Sequence, residues 1–128
     1  MIGARRELGM LKLNHTIYSK DNLVIVRAEG VINAENAEKF FQYVCSEVEN
    51  FWHLVIDLGE VTDLDSVGIN KLLGLYKMIR NNGGYMALCN ASKKEKMFDL
   101  LSLNGLIRVF TDEKDAIKYC IDLERGLI

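Results

Sequence analysis

The stretch Leu54–Asn82, LVIDLGEVTDLDSVGINKLLGLYKMIRNN, constrains the chain more than any other. An apolar run (Leu54, Val55, Ile56, then Leu58) gives way to acidic residues. These lead directly into Asp65-Ser66-Val67-Gly68 and then a long amphipathic pattern. Unbroken apolarity suits a strand buried on both faces, whereas recurrence at three- and four-residue spacing suits a helix with one buried stripe. The spacing predicts a central strand over 52–58, a short acidic loop, and a helix starting near Ser66. That helix would bury Ile69, Leu72, Leu73, Tyr76 and Ile79. Asn81-Asn82-Gly83-Gly84 would stop it, since glycine accepts the left-handed conformation that helix ends commonly need.

Around this unit the pattern alternates strand and helix. Leu11, Leu13, His15 and Ile17 alternate with polar residues, as a half-buried strand would. After a turn at Ser19-Lys20-Asp21-Asn22, β-branched residues over 23–28 form a second strand, so the two make an antiparallel hairpin. Gly30 ends that strand, and Asn33 is placed to cap a helix whose inner face carries Ala37, Phe40, Phe41, Val44 and Val48. Tyr85–Cys89 reads as a fourth strand. Ser92-Lys93-Lys94-Glu95 is a capping box opening a third helix, which Asn104-Gly105 ends. Leu106–Phe110 is a short fifth strand. Thr111 would cap a last helix, with Asp112 and Glu113 in its first turn and Ala116, Ile117, Cys120 and Leu123 buried.

The expected order is ββαβαβαβα: an α/β fold with a mixed, largely parallel sheet of about five strands, an opening antiparallel hairpin and about four helices. Residues 1–10 carry little pattern and are expected to form a loose arm or an extra turn on the rim; residues 11–128 form a single domain.

Composition narrows the function. With 128 residues, 49% hydrophobic and 27% charged, the chain has the make-up of one folded, soluble domain. A net charge of −2 argues against nucleic-acid binding. No apolar run is long enough to span a bilayer, and the first residues lack the apolar core of a signal peptide, so no membrane association and a cytoplasmic location are expected. Cys45, Cys89 and Cys120 are odd in number and widely separated, which suits reduced core thiols. His15 and His53 share no ligand spacing. No cofactor or metal is expected.

Four carboxylates, Asp57, Glu60, Asp63 and Asp65, crowd the central stretch. They support a metal site, an acid/base pair or a phospho-acceptor site of the receiver type, or simply a solvated loop ending in a capping aspartate. Ser66 supports two readings as well. A serine at a helix start can be a cap. It is also well placed to carry a phosphate, because first-turn N–H groups are unsatisfied and the helix dipole favours negative charge. Nucleophilic hydrolysis fits poorly, since Ser66 is not in a G-x-S-x-G elbow and no histidine is placed as its base. There is no phosphate-binding glycine motif for a nucleotide.

The run VIDLGEVTDLDSVGINKLLGLYKMIRNNGGYMALCNAS resembles the STAS-domain family, specifically the single-domain bacterial anti-sigma factor antagonists. Glu29-Gly30-Val31-Ile32 resembles the family's glycine turn. Leu103-Asn104-Gly105-Leu106 with Val109-Phe110 resembles its later Gly-Leu turn and last strand. The resemblance implies that Ser66 is a regulatory phosphorylation site. It also implies partners: an anti-sigma factor with serine kinase activity, bound by the unphosphorylated protein so that a sigma factor is released, and a serine phosphatase that resets the switch. The protein would then be ligand and substrate, not an enzyme. The expected partner surface is Gly30, Asn33, Asp63, Asp65, Ser66, Val67, Gly68 and Asn70. Asn33, Val67 and Asn70 stand where the family usually has aspartate, a small residue and another small residue, and larger side chains there change which partner fits. Two alternatives stay open: a constitutive STAS scaffold in another pathway, and the receiver-like acidic domain. The oligomeric state is open, because an exposed hairpin edge can pair with a second copy.

Overall fold

The computed structural model describes residues 6–91 and 106–128. Among the described residues six strands form one sheet: β1 (Arg6–Leu8), β2 (Leu11–Tyr18), β3 (Leu23–Ile32), β4 (His53–Leu64), β5 (Met86–Cys89) and β6 (Arg108–Phe110). They lie side by side in chain order. The first two pairings are antiparallel and the remaining three parallel. Three helices are described: α1 (Ala37–Val48), α2 (Ser66–Asn81) and α3 (Glu113–Glu124). The mixed α/β sheet with an opening hairpin is the architecture expected from the sequence. The helix expected after Ser92 lies outside the described residues.

Strand alternation divides the core between two faces. Val24, Val26, Leu54, Ile56 and Leu88 face α1 and α2, whose Phe40, Val44, Ile69, Leu72, Leu75 and Ile79 complete the larger cluster. Leu23, Ile25, Val55, Ala87 and Cys89 face the other way, against Ala116 and Cys120 of α3. The central strands are therefore apolar on both faces. Leu75, not Leu73 or Tyr76, completes the most deeply buried stripe of α2; those two pack partly buried against it.

Three elements differ from the expectation. Arg6–Leu8 is an edge strand, not part of a loose arm: it folds back on Leu11–Leu13 around Gly9-Met10. The last helix is capped by Asp112, whose carboxylate accepts the Asp115 N–H at 2.8 Å, and not by Thr111. The largest difference is in β4, which continues through the expected acidic loop to Leu64. Arg27 pairs with Asp57 but Glu29 with Glu60, and Gly30 pairs with Val61 but Val31 with Asp63. Each step inserts one extra residue into β4, the mark of a β-bulge. The bulges stretch the apolar spacing from two to three, so that Leu58, Val61 and Leu64 are all buried in the same cluster. A strict period-two reading misses a strand of that kind.

Both histidines are structural. His15 Nε2 lies 3.1 Å from Glu47 Oε2 and its Nδ1 lies 2.8 Å from the Tyr43 hydroxyl. His53 is 1% exposed. Its Nδ1 accepts the Tyr85 N–H at 3.0 Å, which leaves Nε2 protonated and facing Glu124 at 3.3 Å. Cys45, Cys89 and Cys120 are free thiols, and burial pushes all three pKa values up, Cys120 to about 12. Among the described residues no helix is long and apolar enough to cross a membrane.

Candidate functional site

The bulged extension of β4 delivers Ser66 to the end of the sheet. The helix begins at Ser66 itself, and Asp65 is its N-cap in extended backbone. One carboxylate oxygen of Asp65 accepts the Gly68 N–H at 2.9 Å and satisfies one of the open first-turn donors. The other accepts the Ala34 N–H at 3.1 Å. The Asp65 backbone N–H also reaches Ile32 O at 3.2 Å. Asp65 thus clamps the start of α2 to the β3–α1 connection. Since Asp65 supplies the cap, the Ser66 side chain is not needed for it and stands exposed.

The β3–α1 connection has its own frame. Asn33 Oδ1 accepts the Glu35 N–H at 3.0 Å, and the Asn33 carbonyl accepts the Ala37 N–H at 2.8 Å. Asn33 therefore caps the turn that leads into α1, while α1 proper starts after Asn36. Asn36 is buried and braces the turn: its Oδ1 accepts the Asn33 N–H at 3.0 Å and its Nδ2 donates to Val31 O at 2.8 Å.

Of the eight residues expected at the partner surface, Asp63, Ser66, Val67 and Asn70 are exposed, and Asn33 and Asp65 are half-buried beside them. Val67 is a large apolar side chain left 37% exposed. Gly68 is a correction: it is buried and faces inward. A Cβ there would meet Leu64 Cδ1 at 2.5 Å and Ile32 Cγ2 at 2.9 Å, so glycine lets α2 close on the sheet. Gly30 is likewise a packing residue. Its φ is +110° and a Cβ would meet the Met10 carbonyl oxygen at 2.0 Å. The same carbonyl accepts the Val31 N–H at 3.1 Å. Sequence reasoning misses Ala34, whose N–H the Asp65 carboxylate accepts. Thr62, in the acidic stretch before Asp65, donates its hydroxyl to Gly30 O at 3.2 Å. The paired asparagines three apart, Asn33 and Asn36, were the available signal for an ordered turn.

The acidic residues do not converge as a receiver site requires. Asp57 accepts from the Gly59 N–H at 2.8 Å and from Asn90 Nδ2 at 3.0 Å, on the face that α3 covers. Asp65 is committed to its cap, and Asp63 is exposed. Among the described residues no group of three or more His, Cys, Asp or Glu is arranged to hold a metal ion.

The Asp65 clamp makes a separable prediction. Asp65→Asn keeps an oxygen for the Gly68 N–H but turns an amide NH2 toward the Ala34 N–H. Amide exchange followed by NMR is expected to speed up at Ala34 while Gly68 stays protected, at a stability cost of about 1 kcal/mol. Equal loss of protection at both amides would contradict the two-sided clamp.

The STAS domain profile matches residues 14–116, and the chain belongs to the STAS-domain family. It is similar to the anti-sigma F factor antagonist of Paenibacillus polymyxa, 30% identical over 98 residues, covering 74% of this chain and 84% of that one. It is also similar to the anti-sigma-B factor antagonist of Bacillus subtilis, 24% identical over 109 residues, 84% of this chain and all of the relative. Among solved structures the fold matches SpoIIAA, an anti-sigma factor antagonist, in its unphosphorylated form. The TM-score is 0.67 at 18% identity, over 91% of this chain and 98% of that one. SpoIIAA in its phosphorylated form matches with a TM-score of 0.62 at 16% identity, over 84% of this chain and 97% of that one.

Proposed function

We propose that this chain is a phosphorylation-controlled binding module of the anti-sigma factor antagonist type. With Ser66 free, it binds an anti-sigma factor that is also a serine kinase, and so releases a sigma factor. Phosphorylation of Ser66 by that kinase breaks the complex, and a serine phosphatase restores it. The chain acts as ligand and substrate, in the cytoplasm, and catalyses nothing itself.

The observation that carries this reading is the division of labour at the start of α2: Asp65 caps, and Ser66 stands exposed beside it. A serine held only for capping would make that bond itself. A phosphoryl group adds about −1.5 to −2 charges. Placed at the first position of α2 it meets the positive end of the helix dipole, so it fits without unfolding the helix. Asp63 and Asp65 are close in sequence and oppose it, so the added charge remains to repel an acidic or apolar partner surface. The exposed Val67 next to it supplies an apolar contact that a neighbouring dianion would spoil.

The modification itself is tested by incubating the chain with native cytosol and ATP, followed by site-resolved phosphopeptide mass spectrometry. Phosphate is expected on Ser66, and Ser66→Ala is expected to abolish it. A chain that stays unmodified, or is modified equally in the variant, would sink the proposal in favour of a constitutive scaffold.

A further inference from the structure

We infer that the groove between β1 and α1 is a second docking surface, one that takes an extended acidic segment of a partner protein. The groove holds a cavity of about 390 Å³ lined by Arg6, Leu8, Lys39, Gln42, Tyr43 and Ser46. A smaller cavity of about 150 Å³ shares Leu8 and Lys39 and continues the groove to Asn33 and Glu35. The groove thus runs into the turn that Asp65 ties to the start of α2.

Its shape follows from the pairing of β1. Arg6 lies opposite Leu13 and Leu8 opposite Leu11. Those leucines are fully buried in the cluster that α1 completes, so Arg6 and Leu8 share their face of the sheet. They stand beside the helix and not beneath it: Arg6 is exposed and Leu8 half-buried. On α1, Lys39, Gln42, Tyr43 and Ser46 recur at three- and four-residue spacing and form the facing wall. β1 is the last strand on its side of the sheet, so among the described residues no strand closes the outer flank.

Charge selects the occupant. The charged side chains lining the larger cavity are Arg6 and Lys39, both cations. Among the described residues neither has a carboxylate partner. The Tyr43 ring steadies Arg6, whose guanidinium carbon lies 5.9 Å from the ring centroid. The nearby carboxylates are engaged or stand off the groove. Glu47 lies against His15 at 3.1 Å, and Glu38 is taken by Lys71 and the Gln42 amide. Glu7 is on the other face of β1, paired in register with Lys12. Glu35 lines only the smaller cavity. The larger cavity is therefore positive in a chain whose net charge is −2. Residues 1–5 carry no carboxylate and so lack the complementary charge.

Length selects a chain over a small anion. Lys39 to Ser46 span about 10 Å of helix, room for about three extended residues in the larger cavity alone. Positive charge stands on both banks, Arg6 on the strand and Lys39 on the helix. An extended segment sends alternate side chains to one side about 7 Å apart, so it delivers successive carboxylates along such a groove. Leu8 and Met10, the latter 72% exposed, offer its apolar atoms contact.

The inference does not rest on the Ser66 switch, and its test leaves Ser66 untouched. The full chain is titrated with a capped six-residue peptide alternating alanine and glutamate, followed by amide NMR shifts. A glutamine-for-glutamate peptide and inorganic phosphate are separate arms at matched ionic strength. Saturable shifts at Leu8, Gln42 and Ser46 are expected from the glutamate peptide alone, and sodium chloride at about 0.5 M is expected to remove most of them. Arg6→Gln and Lys39→Gln, both at exposed positions, are each expected to weaken binding by about threefold to fivefold, the effect of one exposed ion pair. Lys39→Glu is expected to weaken it about tenfold. No saturable shift at millimolar peptide, the same shifts from the glutamine peptide or from phosphate, or unchanged affinity in Lys39→Glu would overturn the proposal. So would shifts at these amides that grow with protein concentration in the absence of peptide, which would make a second copy the occupant.

Discussion

Ser66→Asp is expected to weaken capture of the anti-sigma partner by about a hundredfold, while Ser66→Ala binds within a few-fold of the unmodified chain. The asymmetry follows from the local geometry. Ser66 contributes no cap, so replacing it with alanine leaves Asp65, its bonds to Gly68 and Ala34, and therefore the shape of the surface unchanged. Aspartate adds a charge at the first position of α2, where the dipole tolerates it, so the free protein stays folded. On the proposed switch the cost falls on the complex, where that charge would be buried against a partner surface that otherwise meets a hydroxyl beside Val67. Titration calorimetry with the purified partner, with thermal melts of each variant, separates lost binding from lost folding. Aspartate and alanine variants that bind alike would refute the charge mechanism.

Gly30→Ala is expected to be the most damaging single substitution near the site, costing about 3 kcal/mol of stability. Two effects add. The backbone at Gly30 has φ +110°, which side chains with a Cβ rarely adopt, and the new Cβ would lie 2.0 Å from the Met10 carbonyl oxygen. Main chain cannot yield there cheaply, because the same carbonyl holds the Val31 N–H and the β1–β2 turn. Gly9→Ala supplies the control. Gly9 has φ +65° but nothing within 4 Å of a Cβ, so only backbone strain is felt, about 1 kcal/mol. Urea denaturation reads both as midpoint shifts at constant slope. Equal shifts would mean that the β1–β2 turn does not pack on β3 at Gly30.

The parts of this fold that are legible in the sequence are those with one clean period. The opening hairpin, the doubly apolar central strand and the amphipathic α2 announce themselves by alternation, unbroken apolarity and helical spacing. The acidic stretch after Leu58 does not, because two bulges in β4 convert period two into period three, and what reads as a solvated loop is a strand carrying Glu60 and Asp63. Arg6–Leu8 is too short to show a period at all. The start of α2 at Ser66 is legible because a capping aspartate beside a serine at a helix start has a local signature. Gly30 and Gly68 are both close-approach positions and Gly68 is buried, which the sequence does not reveal, since a glycine looks the same whether its missing side chain faces a partner or the chain's own backbone. Ala34 is not readable, because only the long-range bond to Asp65 brings it to the start of α2.

The most direct measurement is the affinity of one purified partner for the same preparation of this chain in three states: untreated, fully phosphorylated at Ser66, and phosphorylated then treated with a serine phosphatase. The account predicts tight binding, loss of binding, and full recovery. Unchanged affinity in the phosphorylated state would contradict it and leave Ser66 as an exposed residue on a constitutive scaffold.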